Sequence, residues 1–126
     1  MHNKRIFTSF AIEDEKMRDL FIGQARNERV PYDLVDMSVK QPWNDSWKTR
    51  CRTRISGCDG VIVLITKNLK TADGALWEIR CAREEYKPIL GVYMSGCGTF
   101  DAPTELDGIR KVNWTWEAIT NFVNSL

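Results

Sequence analysis

The chain has 126 residues, of which 43% are hydrophobic and 28% are charged, and this fits one globular domain with a single core. Its 18 basic and 17 acidic residues give a formal net charge of +1, which provides no electrostatic footprint for nucleic acid and argues against a polybasic membrane-surface role. The longest apolar run, residues 61–65, is far shorter than the roughly 20 residues of a membrane-spanning helix. We therefore expect one domain over residues 1–126, located in the cytoplasm, with neither nucleic acid nor membrane as a partner.

The cysteine and histidine positions argue against a metal site. None of Cys51, Cys58, Cys81 and Cys97 forms a C-x-x-C pair, and the only histidine is His2, next to the N-terminus. Three of the cysteines lie within apolar-periodic segments, so we expect them to be reduced and to act as small core residues. This in turn favours a reducing, cytosolic setting.

Strands and helices alternate along the chain. Buried apolar runs predict strands at residues 5–11, 32–37, 60–66, 88–94 and 109–113. Apolar residues at helical spacing predict helices at residues 13–28, 47–57, 73–86 and 115–126, the last of them capped by Thr115. The central run, residues 60–66, is apolar without alternation, which is typical of a parallel strand covered on both faces.

This order predicts an α/β fold, a flavodoxin-like three-layer sandwich with helices on both faces of the sheet. We expect a five-stranded, mainly parallel sheet with strand order 2-1-3-4-5. A loop over residues 95–107, which contains Gly and Pro, takes the place of one helix. Ligands of such sheets bind beyond the carboxyl ends of the strands, near the switch point between strands 1 and 3.

The carboxyl-end rule selects candidate substrate-binding residues that are aromatic, hydroxyl-bearing or acidic: Ser9, Phe10, Asp36, Ser38, Trp43, Trp47 and Trp77. Glu78, in the first turns of the third helix, is the candidate catalytic residue. Each has a structural alternative. Asp36 could cap the loop, Trp47 lies on the apolar stripe of its helix, and Glu78 could be a solvated glutamate favoured by the helix dipole. The basic face of the second helix, from Lys48 to Arg54, is a solvated surface or an anion contact.

Several chemistries lack their motif. The chain has no G-x-G-x-x-G turn after strand 1, no P-loop and no aspartate at the end of strand 3, where Thr66-Lys67 stands. Ser9-Phe10-Ala11-Ile12 is unlike the hydroxyl- and glycine-rich turn of a flavin-binding flavodoxin. A Ser-His-Asp or Cys-His mechanism has no suitable histidine.

The chemistry that remains is one that a single carboxylate can support. Cleavage of a nicotinamide N-glycosidic bond releases a neutral leaving group from a pyridinium, so it needs no general acid. Its transition state is oxocarbenium-like, and a nearby carboxylate stabilises that positive charge. Aromatic side chains can stack on the nicotinamide or adenine ring and exclude water.

Four stretches together resemble the bacterial TIR-like family, and most of all the TIR-like subunit of Thoeris anti-phage defence systems. They are Arg5-Ile-Phe-Thr-Ser-Phe10, Asp36-Met-Ser38, Cys58-Asp-Gly-Val-Ile-Val-Leu-Ile-Thr66 and Ala75-Leu-Trp-Glu-Ile-Arg-Cys-Ala82. The resemblance covers about residues 4–94. The chain departs from many members at Thr71-Ala-Asp-Gly74, where they have a Ser and a Trp or Tyr.

The resemblance implies a substrate and a biological role. In that family the helix glutamate cleaves NAD⁺, and Glu78 takes its place; NAD⁺ is then a substrate, and no cofactor is expected. The implied product is a cyclic or conjugated ADP-ribose signal, made on phage infection, that activates a separate effector protein. The alternative is a non-enzymatic TIR-type adaptor that acts by self-association.

Overall fold

The computed structural model describes residues 3–126, so His2 lies outside the described residues. Five strands form one sheet in the order β2-β1-β3-β4-β5, and every pairing is parallel. The strands are β1 (Lys4–Ser9), β2 (Tyr32–Val35), β3 (Gly60–Ile65), β4 (Ile89–Tyr93) and β5 (Lys111–Asn113). The predicted flavodoxin-like fold and strand order are confirmed.

Four α-helices cover the sheet: α1 (Glu15–Asn27), α2 (Asp45–Ser56), α3 (Asp73–Glu84) and α4 (Trp116–Asn124). The prediction that α1 begins at residue 13 is wrong, because Ile12–Asp14 forms a separate 3-10 turn before the helix. Helix α2 begins earlier than predicted because Asn44 accepts a hydrogen bond from the Trp47 amide and acts as its N-cap. Thr115 caps α4, as predicted.

The long loop after β4 is more ordered than the sequence indicates, since it contains two 3-10 turns, Thr99–Asp101 and Thr104–Leu106. Arg83 of α3 holds it by donating to the carbonyl oxygens of Glu105 and Asp107. The fifth strand is shorter than predicted and begins at Lys111.

Two apolar layers explain why β3 is apolar without alternation. Val61, Val63 and Ile65 pack beneath α2 and α3, whereas Ile62 and Leu64 face α1 and α4. Both faces of the strand are thus covered, as expected of a central parallel strand. Cys51, Cys58 and Cys81 are buried in the layer beneath α2 and α3, which confirms their predicted place in the core.

The carboxyl ends of the strands meet at one edge of this sheet. The loop after β1, the loop between β2 and α2 (residues 36–44, hereafter the β2–α2 loop) and the start of α3 all lie at this edge. Among residues 3–126, no helix is both long and apolar enough to cross a bilayer.

Candidate active site

Glu78 lies inside the protein, because it occupies a core position of its helix. The residues of α3 that face the sheet include Ala75, Ile79 and Ala82, and Glu78 belongs to the same stripe at helical spacing. Its side chain is 0% exposed. A glutamate is almost never fully buried unless it is paired, so its partners are informative.

Three side chains contact the Glu78 carboxylate. The Ser9 hydroxyl donates to Oε1 at 2.8 Å. The Lys40 ammonium donates to Oε1 at 2.9 Å and to Oε2 at 2.7 Å. The Cys51 thiol is in contact with Oε2, with the sulfur 3.9 Å away. These residues come from β1, the β2–α2 loop and α2, so three separate elements converge on one carboxylate.

The Lys40 side chain closes the site over Glu78. It is only 4% exposed, although it belongs to a loop. Its ammonium also lies 4.1 Å from the centre of the Phe10 ring, at cation–π distance. Its stem fits against Gly74, where a Cβ atom would come within 2.7 Å of the Lys40 Cβ. A ligand that reaches Glu78 must therefore displace the Lys40 ammonium.

Burial sets the direction of the Glu78 pKa. Desolvation raises this pKa above its ordinary value, the ion pair with Lys40 and the hydrogen bond from Ser9 lower it, and Asp36 raises it further. Lys40 thus provides the main opposition to the effect of burial. If Lys40 leaves without replacement by another positive charge, the carboxylate tends to take up a proton.

Arg18 anchors the start of the β2–α2 loop. Its guanidinium donates to Asp36 Oδ2 at 2.9 Å and lies 4.7 Å from the centre of the Phe10 ring. Arg54 donates to the Asp36 backbone carbonyl at 2.6 Å. Asp36 therefore holds the loop at its base, and the Phe10 ring has both Arg18 and Lys40 beside it.

A second link closes the switch point between strands 1 and 3. Asp14, just before α1, accepts from the Thr66 hydroxyl at 2.5 Å and from the Asn68 amide at 3.0 Å. These contacts join the loop after β1 to the loop after β3. They fix two of the segments that surround the site.

The structure brings part of the predicted set together. Ser9 contacts Glu78 directly, and Phe10 and Asp36 are connected to it through Lys40 and Arg18. Ser38 is exposed in the β2–α2 loop, and Trp43 is 76% exposed at its far end.

The other two tryptophans of the predicted set, Trp47 and Trp77, contact each other and not Glu78. Trp47 is buried in the core, which is the structural alternative that its place on the apolar stripe of the helix indicates. Its indole N–H donates to the Val39 carbonyl at 2.5 Å, and its ring meets Trp77 edge-on at 5.3 Å. Trp77 is partly buried between α2 and α3, with the Arg52 guanidinium 5.7 Å from its ring centre. This pair supports the β2–α2 loop from beneath.

The sequence reasoning missed Lys40, Cys51, Arg18 and Asp14 as members of the site. Lys40 lies in the loop after β2, so the carboxyl-end rule alone could have included it. Cys51 is a core residue, as predicted, but nothing in its spacing indicates that its sulfur reaches Glu78. No group of three or more His, Cys, Asp or Glu side chains that could hold a metal ion occurs within residues 3–126.

Solved structures with the same fold include an N-glycosidase and two SEFIR domains. The Clostridium botulinum CMP N-glycosidase BcmB superposes with a TM-score of 0.58 at 15% identity, over 98% of this chain and 100% of that one. The SEFIR domain of IL-17 receptor B superposes with a TM-score of 0.61 at 13% identity, over 97% of this chain and 96% of that one. A prokaryotic SEFIR domain gives 0.55 at 14% identity, over 98% and 89%. At these identities the likeness concerns the fold.

Sequence comparison identifies the family. No curated protein sequence matches the chain. Residues 7–98 match the family described as the TIR-like domain of the Thoeris protein ThsB. This span contains all of the Ser9, Lys40, Cys51 and Glu78 constellation, and it agrees with the resemblance seen in the four sequence stretches. The chain therefore belongs to the TIR-like domain family of the Thoeris protein ThsB.

Proposed function

We propose that the protein cleaves the N-glycosidic bond of NAD⁺ at Glu78 and converts the ADP-ribose part into a cyclic or conjugated signal for a separate effector in anti-phage defence. The single observation that carries the proposal is the cation site formed by the Glu78 carboxylate and the Phe10 ring. In this structure the Lys40 ammonium occupies it, 2.7 Å from Glu78 Oε2 and 4.1 Å from the ring centre.

The charge of the displaced group favours a pyridinium substrate. When a ligand displaces Lys40, a buried carboxylate is left without its partner unless the ligand brings a positive charge. The nicotinamide ring of NAD⁺ brings such a charge, and a cation beside an aromatic ring and a carboxylate is stabilised by both. A neutral base leaves the carboxylate unpaired or protonated.

The same carboxylate suits the bond cleavage. As the bond between the ribose C1′ and the pyridinium nitrogen breaks, its electron pair goes to the nitrogen, and nicotinamide leaves as a neutral molecule. The positive charge then moves onto the ribose, where the carboxylate stabilises the oxocarbenium-like transition state. A water molecule, or a hydroxyl or ring nitrogen of the bound nucleotide, then attacks C1′ and loses its proton where it has one, giving the hydrolysed, cyclic or conjugated product.

The structural likeness to a CMP N-glycosidase gives this proposal a competitor of the same reaction class. That enzyme's name specifies a substrate with a neutral base and a phosphate. The cation site favours NAD⁺ over such a substrate. A second candidate function is a non-enzymatic adaptor that self-associates, and it is favoured by the large exposed side chains Trp43, 76% exposed, and Phe100, 85% exposed.

The test is nicotinamide release from NAD⁺ and cytosine release from CMP, measured with purified protein and with protein recovered from phage-infected cells. Glu78→Gln is compared with Glu84→Gln, which changes an exposed glutamate on the same helix. We expect nicotinamide release to disappear in Glu78→Gln and to persist in Glu84→Gln. Release that survives in Glu78→Gln would falsify the site. Cytosine release without nicotinamide release would show that CMP, and not NAD⁺, is the substrate. No cleavage of either molecule in protein from infected cells, together with concentration-dependent assembly, would favour the adaptor.

A further inference from the structure

We propose that Cys51 is a positioning residue for Glu78, with its thiol and the Ser9 hydroxyl each holding one carboxylate oxygen after the Lys40 ammonium has left the site. This proposal rests on the proposed function, because it gives Cys51 a part in the reaction at Glu78. It concerns the site after Lys40 has left, when the contact between the Lys40 ammonium and the Glu78 carboxylate is absent.

Apart from Lys40, one donor contacts each oxygen of the Glu78 carboxylate. The Ser9 hydroxyl lies 2.8 Å from Oε1, and the Cys51 sulfur lies 3.9 Å from Oε2. Ser9 is the last residue of β1 and is fully buried, and Cys51 lies on the inner face of α2 and is also fully buried. Both donors are thus fixed by the core, whereas Lys40 belongs to a loop.

Two donors are needed because the last torsion of a glutamate side chain is broad and roughly two-fold. A single hydrogen bond to Oε1 leaves the carboxylate plane free to rotate about that contact. A second donor on Oε2 fixes the plane. A fixed carboxylate stabilises charge at the ribose without having to reorient during the reaction.

The Cys51 thiol acts in this position as a donor and not as a nucleophile. Burial raises the pKa of Cys51 far above the ordinary value for a thiol, the nearby Glu78 charge raises it further, and Lys40 acts in the opposite direction. The thiol therefore keeps its proton at neutral pH. A thiol is a weak donor, but Cys51 and Glu78 are both fully buried, and a hydrogen bond in such surroundings is stronger than in water.

Infrared spectroscopy tests the contact without requiring activity. The S–H stretching band of Cys51 reports its hydrogen bond, and we expect this band to shift in Glu78→Gln. Cys58→Ala and Cys81→Ala identify the bands of the two other thiols in the same apolar layer, and both bands are expected to stay in place in Glu78→Gln. An unshifted Cys51 band would contradict the contact.

The second readout is the pKa of Glu78, followed through its protonated carboxyl band as the difference from Glu78→Gln. The groups that face Glu78 are Lys40, Ser9, Cys51 and, by its charge, Asp36. Losing a donor to the charged form raises a carboxyl pKa, so we expect Cys51→Ala to raise it by about 0.5 pH unit, since a thiol is a weak donor. The shift is expected to be larger in a Lys40→Met background, where Cys51 no longer shares Oε2 with the ammonium.

Kinetics then connect the contact to the reaction. The acid limb of kcat/KM for nicotinamide release is expected to move to higher pH by the same amount in Cys51→Ala, since activity needs the ionised carboxylate. Cys51→Ser, which keeps a donor, is expected to lie closer to wild type. Cys81→Ala removes a buried thiol of equal size and is expected to leave the limb unchanged.

The outcomes separate this proposal from the one on which it rests. Equal pH profiles for Cys51→Ala and Cys81→Ala would overturn the role of Cys51 while leaving NAD⁺ cleavage intact. If the wild type releases no nicotinamide, but the S–H band of Cys51 and the pKa of Glu78 both shift as expected, then NAD⁺ is not the substrate. Cys51 is still the residue that positions Glu78.

Discussion

Lys40→Met tests whether the ammonium of Lys40 competes with substrate. Methionine keeps a long apolar stem against Phe10 and Gly74 but removes the charge from Glu78. The pair is buried on both sides, with Glu78 0% and the Lys40 side chain 4% exposed, so solvent screens it little. Removing one partner of such a pair costs about 3–5 kcal/mol, and we expect the free energy of unfolding to fall by about 3 kcal/mol at neutral pH, where protonation of Glu78 limits the loss.

The same energy sets the expected gain in substrate affinity. In the wild type, NAD⁺ has to displace Lys40, and about 3 kcal/mol corresponds to roughly 100-fold in affinity. This figure already allows for protonation of Glu78 in the variant, where desolvation without the Lys40 charge raises the pKa of the carboxyl further. We therefore expect a KM lower than that of the wild type at pH 7. The gain grows as the pH rises, because less of the Glu78 in the variant has to lose a proton before NAD⁺ binds.

The assay is steady-state nicotinamide release against NAD⁺ concentration from pH 6 to pH 9. Lys70→Met is the matched control, because the Lys70 ammonium also lies 4.1 Å from an aromatic ring, that of Phe100, but is exposed. We expect KM to fall with pH in Lys40→Met relative to wild type, with kcat nearly constant and Lys70→Met unchanged. A KM that is unchanged or higher across this range would refute the reasoning and would mean that Lys40 assists binding.

Three further changes test other parts of the structure. Gly74→Ala places a Cβ within 2.7 Å of the Lys40 Cβ, so we expect it to push the β2–α2 loop outwards. The free energy of unfolding is expected to fall by about 1–3 kcal/mol, and nicotinamide release is expected to increase. Release at or below the wild-type level would contradict a closing role for this contact. Asn44→Ala removes the side-chain cap that accepts from the Trp47 amide, and chemical denaturation is expected to show a loss of about 1 kcal/mol, whereas Asn44→Ser is expected to retain most of it. Burial raises the pKa of Glu78 above its ordinary value of 4.5, so the native state binds a proton at this carboxyl more tightly than the unfolded state does. We therefore expect the free energy of unfolding of the wild type, relative to that of Glu78→Gln, to be greatest below pH 4.5. It is expected to fall as the pH rises through the native pKa. Urea unfolding at a series of pH values measures this difference, and a difference that grows with pH would show that Lys40 outweighs burial.

The sequence by itself determined the layout of the sheet. Segments such as Gly60–Ile65 are apolar at every position, and strands that alternate with helices over short connections form parallel pairs covered on both faces. That pattern depends on local composition and on the right-handed crossover, neither of which needs tertiary coordinates. It also located Glu78 and Ser9 at the carboxyl edge, because the ends of parallel strands meet there. The helical spacing that Glu78 shares with Ala75, Ile79 and Ala82 could also have indicated that it faces inward, but the sequence left a solvated glutamate as the alternative.

Only the tertiary structure decided what surrounds Glu78. Lys40 precedes Glu78 by 38 residues and Cys51 precedes it by 27, and no periodicity connects positions so far apart on a loop and a neighbouring helix. The path of the β2–α2 loop decides which of its side chains turns inward: Lys40 does, while Val39 and Trp43 stay exposed. That choice depends on the space left by Gly74 and on the Arg18 and Trp47 contacts that hold the loop, and those contacts exist only when the sheet and its helices have packed together.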